Sequence, residues 1–161
     1  MKGLMQDWPL LVHTFIDHAS IHHGDREIVT RKVEGDIHIT KYSEIHSRSR
    51  KFSKALIKLG VKKSDVIGTL AWNTHRHLES WYGITGVGAV YHTLNPRLFL
   101  EQLEYIINHA ENKFIVSDTS FVQILENLEE KIPNVKGIIF LTDKDNMPVS
   151  YTHLRAHETG P

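Results

Sequence analysis

Two short apolar runs, Val66 to Trp72 and Ala89 to Leu94, flank a segment of helical periodicity, and this arrangement limits the fold more than any other feature of the chain. Each run has the length and polar boundaries of a buried strand. Asn73-Thr74 supplies side-chain oxygens suited to capping a helix start. Leu78, Trp81, Tyr82 and Thr85, at spacings of three and four, predict one helix face packed on a flat surface. Gly86 and Gly88 end that face, and Asn95-Pro96 ends the second run because proline cannot donate to a sheet ladder. A strand, helix and strand in this order predict a parallel sheet, since parallel neighbours need a crossover.

The alternation continues. Leu98 to His109 reads as a helix with Leu100, Leu103, Ile106 and Ile107 inward, Lys113 to Ser117 as a strand, Ser120 to Lys131 as a helix through Phe121, Ile124, Leu125 and Leu128, and Val135 to Leu141 as a last apolar run. Three helical crossovers in succession predict an α/β fold, a mostly parallel sheet with flanking helices. Ahead of it, Trp8-Pro9 predicts a helix start, with a stripe of Leu11, Phe15, His18, Ala19 and His22 closed by Gly24. Glu27 to Val33 and Ile37 to Lys41 flank Glu34-Gly35-Asp36, the composition of a small antiparallel hairpin. From Thr40 a long helix buries Ile45, Ser49, Phe52, Leu56 and Leu59, keeps Arg48, Arg50, Lys51, Lys54 and Lys58 mostly outside, and stops at Gly60 as a left-handed C′ residue.

Composition removes several classes of function. Lysine plus arginine and aspartate plus glutamate stand at 19 each, so no net field draws the chain to nucleic acid or anionic lipid. There is no cysteine, which excludes disulfides, thiolate metal sites and thiol nucleophiles. No apolar run approaches the ~20 residues of a membrane-spanning helix. The N-terminus has no long apolar core and soon carries Asp7, a poor signal peptide, and a cytoplasmic location is expected.

Motif chemistry yields no catalytic, cofactor-binding or metal-binding residue. His18 and His22 lie one helical turn apart, yet no third ligand accompanies them. His75 and His77 sit beyond a strand end, where ligands bind in open α/β sheets, but neither has an acid partner in view, and a cap or surface role is expected. Gly86-Val87-Gly88 begins like a dinucleotide fingerprint, but it leads from helix into strand and has Tyr91 at the sixth position. Neither GxxxxGK[ST] nor GxSxG is present.

The run GTLAWNTHRHLESWYGITGVGAVYHTLNPRLFLEQLEYIINHAENK, with GDREIV at Gly24 to Val29, TKYSEIHSRSRKFSKAL at Thr40 to Leu56 and LGVKKSDVIGTLAWN at Leu59 to Asn73, resembles the N-terminal portion of the adenylate-forming acyl-CoA synthetases, in particular the medium- and long-chain fatty-acid–CoA ligases. The resemblance spans Gln6 to Leu141 and implies a two-step reaction in the parent enzyme. A fatty acid attacks ATP to give an acyl-adenylate and pyrophosphate, and coenzyme A then takes the acyl group as a thioester. ATP, magnesium and coenzyme A are implied for that parent, and none is expected to bind tightly to this fragment. The resemblance puts the phosphate loop, of the form YTSGTTGxPKG, the ribose-binding acid and the catalytic lysine beyond the matched portion; Tyr151-Thr152 begins like that loop, but without its glycines. Trp72, Asn73, Asn95, Pro96 and Arg97 match recognisable family positions and are assigned to packing and turn geometry.

The fold is therefore expected over residues 1–147 as an N-terminal subdomain, itself inactive. Residues 148–161 are expected to form a non-native or disordered tail, since SYTHLRAHET resembles a translated sequencing adapter. Two other readings stay open: a stand-alone α/β module that binds a nucleotide or an acyl compound, and a dimerisation domain, with a homodimer plausible because some family members associate through this portion.

Overall fold

The computed structural model describes residues 3–4 and 7–148. The expectations for the tail beyond Pro148 lie outside the described residues.

Four strands, β3 (Val66–Leu70), β4 (Val90–Thr93), β5 (Phe114–Ser117) and β6 (Ile138–Phe140), form an all-parallel sheet in the order β4-β3-β5-β6. They are preceded by helix α1 (His13–His23), an antiparallel hairpin of β1 (Glu27–Arg31) and β2 (Ile37–Lys41), and helix α2 (Tyr42–Lys58). Helices α3 (His75–Gly86), α4 (Leu100–His109) and α5 (Val122–Leu128) make the three crossovers. The α/β class, the parallel sheet and the leading helix and hairpin are as expected from the sequence.

Side chains alternate across the strands and build two cores. Ile67, Phe114, Val116 and Ile139 face Phe52 and Leu56 of α2 and Ile84 of α3. Leu70, Ile115, Ile138 and Phe140 face Leu103 and Ile107 of α4 and Leu125 and Leu128 of α5. Thus α3 covers one face of the sheet, and α4 and α5 cover the other. The connections leaving β3 and β5, which are neighbours in the sheet, depart to opposite faces, and a crevice at their carboxyl ends follows from that topology.

Two expectations are corrected. Helix α1 begins at His13 rather than at Trp8-Pro9, and its buried residue is Ile16, while Phe15 and Leu11 are exposed. The N-terminal helix packs on α2 and, less extensively, on α3 rather than on the sheet, and Ile16 is its one buried residue. The larger correction concerns α3. Its buried residues are His75, Arg76, Glu79, Ser80, Gly83 and Ile84, whereas Trp81 is 37% exposed and Leu78, Tyr82 and Thr85 are only half-buried. The buried face carries ion pairs and a glycine contact, which an apolar-stripe reading passes over.

Local signals hold elsewhere. Thr74 Oγ1 accepts from the His77 N–H at 3.4 Å and caps α3. Glu44 accepts from the Lys41 N–H at 3.0 Å and from the Thr40 hydroxyl at 2.7 Å, fixing the start of α2. Gly60 ends α2 with φ +86°. The strands are shorter than the apolar runs that announced them, because the outer residues of each run lie in the turns.

Candidate functional site

Chemistry-bearing side chains gather at the carboxyl edge of the sheet, around the start of α3. β3 runs out into Ala71-Trp72-Asn73, and β5 into Asp118. The Trp72 N–H donates to Asp118 Oδ2 at 2.5 Å, tying the two strand exits together. Asp118 is fully buried, and its Oδ1 has no hydrogen-bond partner among the described residues. Burial pushes its carboxyl up to about 6, against the opposing pull of the Trp72 N–H. The Trp72 ring is half exposed and lies 5.4 Å from that of Phe121.

The Trp72 carbonyl receives the second tie. A carbonyl only accepts, so His77 Nδ1 carries its proton and donates at 3.1 Å. Nε2 is then the acceptor, and the Tyr91 hydroxyl donates to it. Burial lowers the His77 imidazole, partly offset by the Trp72 carbonyl, and burial raises the Tyr91 phenol. Both groups are therefore held neutral.

Arg76, in the first turn of α3, is buried and fully engaged. It donates to Glu34 Oε1 at 2.8 Å, to the Leu141 carbonyl at 3.2 Å and to Asp143 Oδ2 at 2.9 Å. Thr142 also donates to Glu34 at 3.1 Å. Burial would raise the Glu34 carboxyl, but hydrogen bonding to Arg76 and its charge outweigh that and leave it below the usual range. A second pair lies one turn on, where Arg48 of α2 meets Glu79 Oε1 at 2.6 Å, with Glu79 itself 3% exposed at its side chain. Burial still raises Glu79, with Arg48 opposing.

These elements enclose a cleft of about 440 Å³ lined by Ile28, Val29, Leu78, Trp81, Tyr91 and the first residues of α3, His75 among them. His75 is 95% buried by its 5% exposure, stacks on His38 with ring centroids 4.0 Å apart, and has Nδ1 without a partner among the described residues. Burial, followed by the charges of His38 and Arg76, lowers its pKa to about 3, so it stays uncharged.

The structure thus brings His75 and His77 into one cleft. It does not bring His18 and His22 to any third ligand: their rings lie 4.4 Å apart on α1, and no cluster of three His, Asp or Glu side chains suited to a metal occurs among the described residues. Gly86 closes α3 and Gly88 adopts φ +79°, a turn into β4 rather than a phosphate cradle. Asn95 Oδ1 accepts from the Arg97 N–H at 3.0 Å, the turn role expected of that pair. Asp118, Arg76, Glu34 and Glu79 escaped the sequence reading. Arg76, Glu79 and Gly83, at spacings of three and four, were the available sign of a polar buried face.

A profile of the AMP-binding enzyme family matches residues 16–159. The chain belongs to that family. Among curated relatives it is 43% identical over 141 residues to the 3-methylmercaptopropionyl-CoA ligase of Ruegeria lacuscaerulensis, covering 88% of this chain and 26% of that protein. It is 38% identical to the medium-chain-fatty-acid–CoA ligase of Ectopseudomonas oleovorans, covering 91% and 27%, and 35% identical to the long-chain-fatty-acid–CoA ligase of Thermus thermophilus, covering 87% and 26%. Among solved structures, coronafacic acid ligase from Pectobacterium brasiliense has a TM-score of 0.77 at 15% identity, covering 92% of this chain and 28% of that one. Its likeness shows the fold alone. The chain spans about a quarter of the length of the curated relatives it matches. Within this AMP-binding enzyme chain, the Trp72–Asp118 tie and the α3 ion pairs join the parts of one sheet-and-helix unit.

Proposed function

We propose that the chain is the N-terminal portion of an adenylate-forming acyl-CoA ligase and that it supplies scaffold rather than reacting groups. The observation that carries this reading is identity of 35 to 43% along nearly the whole chain to ligases that join carboxylic acids to coenzyme A. The activity is ATP-dependent activation of a carboxylic acid with an apolar chain, followed by thioester formation. A fatty acid is the substrate class, and the sulfur-containing short acid named for the Ruegeria relative marks the short end of that range.

The chain's own residues support the scaffold role. Magnesium would neutralise phosphate charge in the parent reaction, but no set of carboxylates or imidazoles suited to holding it gathers among the described residues. The polar groups at the carboxyl edge are instead used internally: Asp118 holds Trp72, Arg76 holds Glu34 and Asp143, and Glu79 holds Arg48.

The test is a chimera in which residues 7–147 replace the matching segment of the Ectopseudomonas ligase. Acyl-CoA formation from a medium-chain acid is expected to persist, while the chain alone, given ATP, magnesium and that acid, releases no pyrophosphate. A folded but inert chimera, or turnover by the isolated chain, would overturn the reading.

A further inference from the structure

The hairpin meets α3 through a stack of two imidazoles. His38 of β2 alternates with the exposed Ile37 and Ile39, and its ring lies 4.0 Å from that of His75, centroid to centroid, at an interplanar angle of 29°. Two other ties hold the hairpin. At its base the Tyr42 N–H donates to the Arg26 carbonyl at 3.2 Å and the Ser43 N–H to the Gly24 carbonyl at 3.1 Å. At its tip Arg76 meets Glu34 at 2.8 Å, and Lys32 lies 4.0 Å from Asp143. Along β2, His38 stands between the two, so the stack fastens the middle of the hairpin to the helix. The hairpin and α3 also form facing walls of the cleft, with Ile28, Val29 and Thr30 on one side and Leu78 and Trp81 on the other.

The surroundings of the stack are set against added protons. His75 is buried, and its Nδ1 has no hydrogen-bond partner among the described residues, so no acceptor there would steady an imidazolium. Arg76 of α3, Arg48 of α2, Lys32 beside the hairpin turn and His38 itself all act on His75 with positive charge. The carboxylates close by are engaged: Glu34 and Asp143 by Arg76, Glu79 by Arg48, and Asp36 by Lys32. Neutral rings stack at this spacing, whereas a doubly protonated pair would place like charges 4.0 Å apart beside those cations.

We infer that the His38–His75 stack is an acid-sensitive catch, which holds the hairpin on α3 while both rings are neutral and releases it, opening the cleft, when the pair takes up protons. The device goes beyond the proposed ligase chemistry and requires no turnover. A group whose pKa falls on burial contributes stability that is present above its unfolded value and lost as pH falls toward the folded one. For His75 that window runs from 6.5 down to about 3. Other groups near α3 do not mimic it. The carboxyls of Asp118 and Glu79 are raised in the folded chain, so they add stability as pH falls. Glu34, held below its ordinary 4.5, keeps its charge at pH 5 and with it the tie to Arg76. His77 is also lowered, but its partners are Trp72 and Tyr91, away from the hairpin.

Native-state hydrogen exchange on the full chain tests the catch. A two-stranded hairpin detached from its support is at best marginally stable in water, so release exposes its ladder amides to exchange. Corrected for the intrinsic pH dependence of exchange, protection of the β1 and β2 amides is expected to fall roughly 30-fold between about pH 7.5 and pH 5, the effect of freeing one buried imidazole over that range. Protection in β3 and β5 is expected to hold or rise. His75→Phe keeps a ring to stack on His38 and removes the proton site, and it should abolish the fall in the hairpin while leaving His77 in place. Unchanged hairpin protection, a fall of equal size in β3 and β5, or the same fall in His75→Phe would each overturn the inference. Since the hairpin is compared with the central strands in the unaltered chain, a variant that fails to fold leaves the test intact, and the ligase chimera is read independently of it.

Discussion

Gly83 of α3 lies against Phe52 of α2 so closely that a Cβ built on it would stand 2.6 Å from Phe52 Cδ1 and 3.1 Å from the Ser49 carbonyl oxygen. The backbones of the two helices can approach this far because the contact has a hydrogen where other residues have a methyl. Alanine would gain about 1 kcal/mol of helix propensity, but overpacking costs typically 1–3 kcal/mol, and the Ser49 carbonyl cannot rotate away. Gly83→Ala is expected to lower stability by about 1 kcal/mol net in urea unfolding. Adding Phe52→Leu, which makes room for the methyl, should make the pair less destabilising than the sum of the single changes.

Asp118 makes stability depend on pH in a defined direction. Its carboxyl is pushed up to about 6 in the folded chain from an ordinary 3.8. A group raised on folding contributes stability that is fully present below its unfolded pKa and is lost as pH rises through the folded value. The contribution should fade between about pH 4 and pH 7, with a total near 2–3 kcal/mol. Asp118→Asn keeps an acceptor for the Trp72 N–H and removes the titration. The variant is expected to be more stable than the parent at pH 8, with the difference shrinking toward pH 4.5, when urea midpoints are compared across that range.

Removing Arg76 strands Glu34 in a partly buried position. Breaking a buried ion pair from one side costs about 3–5 kcal/mol, and the partial exposure of Glu34 places Arg76→Met toward the low end. Arg76→Lys should rescue only in part, because one ammonium cannot reach Glu34, Asp143 and the Leu141 carbonyl together. A double-mutant cycle with Glu34→Gln, read by chemical denaturation, measures the coupling. A coupling near zero would show that the Arg76–Glu34 contact does not join the hairpin turn to α3.

Gly60 offers a simpler test. No heavy atom lies within 4 Å of a Cβ placed there, yet its φ of +86° is a conformation that L side chains rarely adopt. Gly60→Ala is expected to cost about 1 kcal/mol through backbone strain alone, and Gly60→Asn less, since asparagine tolerates the left-handed region. Equal losses in both variants would point to packing instead.

Much of the fold could be read in the chain because its signals are local. The glycine after α2, the Thr74 cap, the Asn95-Pro96 stop and the apolar strand runs each act within a few residues of where they stand. The hairpin and its antiparallel sense were legible for the same reason, although β1 ends at Arg31 rather than Val33 and the register that pairs Val29 with Ile39 came only from the structure. The carboxyl-edge site was much less so. Asp118 looks like any polar residue after a strand, and only its place between two strand exits buries it.

Alternating strand and helix signals by themselves determined a parallel sheet with helical crossovers, because that alternation has few other compact solutions. Tertiary structure alone decided the strand order β4-β3-β5-β6 and which side of α3 faces inward. The apolar residues Leu78 and Trp81 point to a full burial that does not occur, Leu78 being half-buried and Trp81 37% exposed. Arg76 and Glu79 are buried instead, because Glu34 and Arg48, distant in sequence, meet them. A charge becomes a core residue only when its partner arrives, and that arrival is a property of the folded chain.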